Sequence, residues 1–289
     1  MRRTFIIALI ALICANIAAA VFLTDSLSKK KLAESTLAEK KQAYSAANER
    51  LKSEKNKLDS MRSEKSPRIN AFDLSQSRAG IGMADGVSVC IDAGHGVTDR
   101  KEKEPVSPSS SEKKAANVSG AAGEEPINLE ISKKLKAILE QNGISVDMTR
   151  EENKCDKSNI ERAEQANGSD YSIRIHCDGS ESSEQNGISM LVPEKSYFDD
   201  DSFTQKSRTL GETVLKTVTA STGAKNNGIS VRGDLTGFNW SRVPCILVEC
   251  GFVSNDAEYE KLKSDDYQQK IAQGIADGFL EFIKAQNQP

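Results

Sequence analysis

From Gly86 onward, short apolar runs alternate with longer segments of helical periodicity. This alternation restricts the region to an α/β architecture, because each apolar strand needs helices to cover both of its faces. Val87–Asp92 (VSVCID) reads as a buried strand, and further strands are expected at Ser145–Arg150, Tyr171–His176, Gly187–Val192 and Cys245–Cys250. Ile127, Ile131, Leu135, Ile138 and Leu139 share one helical face between Pro126 and Asn142. Pro126 suits the first helical position there, and Asn142-Gly143 suits a stop. Asn159–Asn167, Phe203–Ser221 and Asp266–Ala285 are also expected to be helical. The expected fold is a single α/β domain over residues 86–289, with a twisted, mostly parallel or mixed sheet flanked by helices. Residues 97–123, rich in Ser, Lys, Glu, Ala and Gly and carrying Pro105 and Pro108, are expected to form an irregular, mobile loop. Two roles fit that loop: a cover for a cleft, or a plain insertion.

The first 85 residues have a different texture. Ile6–Leu23 is apolar apart from Asn16, follows Arg2 and Arg3, and is long enough to span a bilayer. An uncleaved transmembrane anchor over residues 1–24 is the expected reading. A cleaved signal peptide ending near Ala18-Ala19-Ala20 is the rival, whereas Leu12-Ile13 before Cys14 disfavours a lipoprotein. Both readings put the remaining chain outside the membrane, either tethered to it or secreted, although Lys29–Lys31 runs against a simple positive-inside assignment. Residues 25–66 favour helix, and Leu37, Tyr44, Leu51 and Leu58 recur every seven residues. Lys41, Asn48 and Lys55 spoil the second seam, so a solvated helical spacer and a partner-docking coiled coil both fit. Pro67 closes that helix, and residues 67–85 read as a linker.

Charge excludes one class of partner. Residues 25–66 hold 11 basic and 7 acidic side chains, whereas residues 67–289 hold 26 basic and 35 acidic. So acidic a domain lacks the basic surface that nucleic-acid binding demands. Cys90, Cys155, Cys177, Cys245 and Cys250 read as small buried hydrophobes rather than a disulfide framework.

The chemistry-bearing residues cluster at strand ends. His95 and His176 are the chain's only two histidines, and each ends an apolar run, VSVCIDAGHG and YSIRIH. Strand ends are where open α/β sheets bind ligands. A hydrogen-bonded structural histidine is the alternative at each position. Glu249 lies inside CILVECGF, where an unpartnered carboxylate is costly, so it needs a metal, a basic partner or a catalytic role. Strand alternation turns Cys177 away from His176 and Cys250 away from Glu249, which disfavours thiolate ligation. Arg174 shares a strand face with His176 and suits either an oxyanion or substrate carboxylate, or an ion pair with Glu249 or another nearby acid.

IDAGHG, EEPINLEISKKLKAILEQNG, IRIHCDGS and VECGFVSNDAEYEKL occur in this order. Together they resemble the zinc-dependent N-acetylmuramoyl-L-alanine amidases of the type 3 catalytic domain, over about Val87 to Phe282. DLTGFNWSRVP resembles a branch of the same family. The resemblance implies a Zn2+ ion held by His95, Glu124 and His176, with Glu249 catalytic. Glu124 is chosen because it stands four residues before the Asn128-Leu129 pair, and its neighbour Glu125 is the alternative. Two His and one Glu form a known catalytic zinc set with a position left for water. The implied reaction is hydrolysis of the amide between N-acetylmuramic acid and L-alanine in peptidoglycan. Glu249 would act as general base and then as general acid. Three rival roles are a zinc-bearing but inactive wall-binding or regulatory module, a peptidase cutting within the stem peptide, and a docking protein working through its coiled region.

Overall fold

The computed structural model describes residues 86–287 apart from 122, 199 and 201. The chain divides into two units, Met1–Leu74 and Ser75–Pro289, and the described residues all belong to the second. The expected anchor, helical spacer and linker therefore lie outside them. Among the described residues no helix is long and apolar enough to cross a membrane.

Among the described residues, eight strands and six helices follow one another as β1 (Ser88–Ala93), β2 (Lys103–Pro105), β3 (Lys113–Ala115), α1 (Glu124–Gln141), β4 (Ser145–Met148), α2 (Asn159–Ala166), β5 (Tyr171–Asp178), β6 (Ile188–Pro193), α3 (Phe203–Thr222), β7 (Asn226–Arg232), α4 (Thr236–Asn239), β8 (Cys245–Phe252), α5 (Asp256–Leu262) and α6 (Asp265–Gln286). Six strands form a mixed sheet in the order β4-β1-β5-β8-β6-β7, and β2 and β3 form a separate hairpin. Only β6 runs antiparallel to its neighbour β8, while the other pairings in the six-stranded sheet are parallel. The expected α/β class, mostly parallel sheet and flanking helices are all present.

Period-two alternation sorts the central strands by face. Val89, Ile91 and Ala93 of β1, Ile173, Ile175 and Cys177 of β5, and Ile246, Val248 and Cys250 of β8 enter the large core with residues of α1, α3 and α6. Within it, Tyr171 meets Phe279 and Phe282 edge-on, with ring centroids 5.6 Å apart in each case. Burying rings of this kind contributes roughly 1.5–3 kcal/mol each. Alternate residues point to the other face, where Leu191, Phe203, Phe238, Cys245 and Leu247 form a smaller core. That second face carries Asp92, Arg174, His176 and Glu249. All five cysteines among the described residues are buried free thiols, as their apolar neighbours led us to expect.

The helix starts follow local chemistry. Ser158 caps α2 in a full capping box with Glu161, and Asn255 and Ser264 accept the capping hydrogen bonds of α5 and α6. Helix α1 begins at Glu124, two residues before the position Pro126 suggested. Proline is tolerated there because its missing N–H is still among the four that a helix start leaves unpaired.

Two expectations need correction. Residues 97–123 contain the β2–β3 hairpin and are tied to the domain at several points. The buried Glu104 carboxylate accepts the backbone N–H groups of Asn159 (3.1 Å) and Ile160 (3.2 Å) at the start of α2. The Asn117 amide donates to the carbonyls of Cys155 and Lys157, and Asn239 and Trp240 donate to those of Val106 and Pro105. The hairpin strands are short and, apart from the buried Glu104 and half-buried Pro105, exposed, so no apolar alternation betrays them. Strand β7 was also missed: Asn226–Arg232 is an exposed edge strand broken by Gly228 at φ 85°, and its order comes from pairing with β6.

Candidate metal centre

The site forms at the carboxyl ends of β1, β5 and β8, which parallel pairing brings side by side. His95 follows β1 in the Gly94-His95-Gly96 turn and has φ 58°, the only positive value among the described non-glycine residues. The Gly94 N–H donates to the Ile175 carbonyl at 2.9 Å, which pins the turn to β5 one residue before His176. A Cβ on Gly94 would lie 2.4 Å from Cε1 and Nε2 of His176, so the ring packs directly on this backbone. Glu124 stands in the first turn of α1, and its side chain is almost fully buried.

One carboxylate oxygen joins the two imidazoles. Glu124 Oε1 lies 3.4 Å from His95 Nε2 and 3.3 Å from His176 Nδ1. The rings meet edge-on, 4.7 Å between centroids, and one ligand atom from each of the three residues lies within 4.8 Å of the others. Glu125 takes no part, because its carboxylate turns back to accept the Gly120 N–H at 2.9 Å. Glu124 is oriented by Asn128, one helical turn on (3.0 Å), and by the backbone N–H groups of Cys177 (3.2 Å) and Ala121 (2.9 Å). On the outer side, His95 Nδ1 lies 2.9 Å from the Val118 carbonyl. Donation there leaves Nε2 as the lone-pair nitrogen facing Glu124.

Electrostatics prepare the same set for a cation. Burial alone would raise the Glu124 pKa, but the hydrogen bond and charge of His176, the charge of His95 and the Asn128 amide more than offset it and hold the group at about 2. Burial pushes His176 down to about 4, against the pull of Glu124, so its imidazole is neutral near pH 7. For Glu124 and His176, an ionised carboxylate and a neutral imidazole are the protonation states metal ligation needs. His176 Nε2 is buried and has no hydrogen-bond partner among the described residues. The donor set thus fits a zinc ion in composition and spacing.

Glu249 is the residue paired with His176 across the β5–β8 ladder. Its Oε2 is buried with no hydrogen-bond partner among the described residues. Burial, followed by the charges of Asp178 and Glu124, raises its pKa well above the usual carboxylate range, with Arg232 and Arg174 pulling the other way. A cleft of about 400 Å³ opens over His95, His176 and Glu249, walled by Lys114, Ala115 and Val118 on one side and by Arg232 and residues 234–237 on another.

Arg174 resolves as a structural ion pair, and its partner is Asp92 rather than Glu249. Its Nε donates to Asp92 Oδ2 at 2.7 Å, while Arg162 and the Thr149 hydroxyl bind Oδ1 at 3.2 and 2.7 Å. A Cβ on Gly237 would fall 1.6 Å from Arg174 Nη1, so the glycine of DLTGFNW is what lets α4 lie against this guanidinium. Sequence reading missed Arg150. It donates to the carbonyls of Ala93 (2.8 Å), Gly94 (2.9 Å) and Glu125 (2.8 Å), clamping the histidine turn to the start of α1. Only its position just after β4 hinted at such a role.

Comparison with known proteins gives the family of the chain. The family profile described as N-acetylmuramoyl-L-alanine amidase matches residues 89–281. The chain is 27% identical over 200 residues to the uncharacterized protein YqiI of Bacillus subtilis (strain 168), covering 67% of this chain and 84% of YqiI. It is 27% identical over 205 residues to the N-acetylmuramoyl-L-alanine amidase LytC of the same strain, covering 69% of this chain but 36% of LytC. The crystal structure of the amidase Ami1 from Mycobacterium smegmatis superposes with a TM-score of 0.65 at 24% identity, over 70% of this chain and 99% of that one, a likeness of fold. The chain belongs to the N-acetylmuramoyl-L-alanine amidase family, the hydrolases of the peptidoglycan amide bond.

Proposed function

We propose that this chain is a zinc-dependent amidase that uses His95, Glu124 and His176 as metal ligands and Glu249 as its proton-transfer residue. The substrate bond is the amide between the lactyl group of N-acetylmuramic acid and L-alanine of the stem peptide. The observation that carries the reading is the convergence of one Glu124 oxygen on both histidines, with Glu249 in the adjacent ladder position. When bound, zinc supplies Lewis-acid polarisation of the carbonyl, a lowered pKa for water and positive charge that favours ionised Glu249.

Each side chain then has a defined task. Glu249 takes the proton of the attacking water and returns it to the departing L-alanyl amine. Asn128 and the Cys177 and Ala121 N–H groups hold Glu124, and the Val118 carbonyl holds His95. The cleft admits substrate from the outer face of the sheet, between the hairpin and residues 234–237. A membrane tether through residues 1–24 and a spacer through 25–66 would present this cleft to the wall from the outer membrane face.

Digestion of purified muropeptides, followed by mass spectrometry, tests the proposal. Release of intact stem peptides with an N-terminal L-alanine is expected. Cleavage inside the stem peptide, or binding to sacculi without cleavage, would refute it. Glu249→Gln is expected to retain stoichiometric zinc and lose about 10²–10⁴-fold in turnover. A near-normal rate with zinc bound would remove Glu249 from its role.

A further inference from the structure

The cleft over the metal centre is asymmetric in charge. Its floor is acidic, with Glu249 inside the cleft and Asp178 close by. One rim carries two cations that share a single carboxylate. Arg232, at the end of β7, donates through Nε to Asp234 Oδ1 at 2.8 Å and through Nη2 to Asp234 Oδ2 at 2.9 Å. Lys114 of β3 donates to the Asp234 carbonyl at 3.1 Å and lies 3.4 Å from Oδ2. Asp234 is the carboxylate both cations bind, while the charges of Glu249 and Asp178 also act on Arg232.

The cations are also reachable. The Arg232 and Lys114 side chains are 38% and 43% exposed, and the Arg232 hydrogen bonds to described residues run through Nε and Nη2 rather than Nη1. Asp234 holds the guanidinium plane by its Nε edge and Nη2, which leaves the Nη1 end directed by a fixed partner rather than free to swing. The other guanidinium of the cleft is committed, since Arg174 is 8% exposed and bound to Asp92. Among the side chains lining the cleft, Arg232 and Lys114 are the cations an entering anion can reach.

We propose that Arg232, aided by Lys114, determines specificity by binding a free carboxylate on the peptide side of the scissile amide. The inference rests on the amidase reading. It adds that the preferred substrate carries an ionised carboxylate on the residue after L-alanine, rather than the corresponding neutral carboxamide. Planar, charge-assisted pairing between guanidinium and carboxylate is the interaction an amide cannot reproduce.

The test compares two synthetic muropeptides that differ only in that group, carboxylate or carboxamide, with the full zinc-loaded chain. Wild type is expected to favour the carboxylate by about tenfold in kcat/KM, with most of the difference in KM. Arg232→Gln should bring the ratio to about one, Lys114→Ala should lower it in part, and Arg232→Lys should keep part of it. Zinc content and melting temperature of each variant report an intact fold. Equal cleavage of both substrates by wild type overturns the proposal, as does an undiminished preference in folded, zinc-loaded Arg232→Gln. If Arg232→Gln does not fold, an undiminished preference in Lys114→Ala overturns it instead. Failure of wild type to cleave either substrate overturns the amidase reading itself, and this proposal with it.

Discussion

Replacing Gly94 with alanine probes the metal centre at its tightest contact. The added Cβ would stand 2.4 Å from Cε1 and Nε2 and 2.6 Å from Cδ2 of His176, where ordinary contact begins at 3.4 Å. The obstacle is the His176 ring, which also contacts His95 and Glu124, so the ring must retreat by about 1 Å, a displacement that costs on the order of 10²-fold when it misplaces a reacting constellation. Gly94 does not have a positive φ, so the backbone itself accepts alanine and sterics alone are tested. Overpacking of this kind destabilises by about 1–3 kcal/mol, or a fall of about 2–10 °C in Tm for a domain this size. Moving a ligand off its position weakens metal affinity by about 10–100-fold. Zinc competition against a chromophoric chelator, a thermal melt and muropeptide turnover measure the three effects. A zinc affinity and kcat/KM within twofold of wild type would show that His176 is not held by this packing and would refute the argument.

Three further outcomes follow from named contacts. Glu124→Gln should lose stoichiometric zinc while Glu125→Gln keeps it, as measured by metal analysis of the purified proteins; the reverse result would exchange their roles. Asp92→Asn leaves Arg162 and Arg174 buried without their counter-charge and should cost about 3–5 kcal/mol in chemical denaturation; a loss under 1 kcal/mol would show the pair to be incidental. Asp92 also predicts acid sensitivity. Burial would raise its pKa, but Arg162, Arg174 and the Thr149 hydroxyl hold it below the unfolded value of about 3.9. Its contribution is therefore fully present above about pH 4 and lost as pH falls through the folded pKa, so stability should drop on acidification below that point. An Asp92→Asn protein with the same slope below pH 4 would contradict this assignment.

The legible parts of this protein were those written in local pattern. Strand alternation in CILVECGF and YSIRIHCD placed Cys177 and Cys250 in the core and left His176 and Glu249 on the opposite face, because side chains along a strand point alternately. Helical spacing marked α1, α3 and α6 for the same reason of periodic burial. The family resemblance, through the register of the Asn128-Leu129 pair, pointed to Glu124, and the structure places its carboxylate one helical turn from Asn128 and within reach of both histidines.

What stayed hidden depends on partners distant in the chain. Nothing near Arg174 says that its counter-ion is Asp92, 82 residues earlier, because parallel pairing of β1 with β5 is what brings them together. The hairpin is ordered by Glu104, Asn117, Asn239 and Trp240 rather than by apolar strands of its own, and β7 is ordered by its neighbour. Arg150 becomes a clamp, and Arg232 a cleft residue, only once the strand ends converge. The sequence by itself determined the class of fold, the faces of the central strands and the residue types of the metal centre, since periodicity and motif are properties of neighbours. Tertiary structure alone decided which charges meet, how the histidines are oriented and what lines the cleft, since those follow from contacts that exist only after the sheet has assembled.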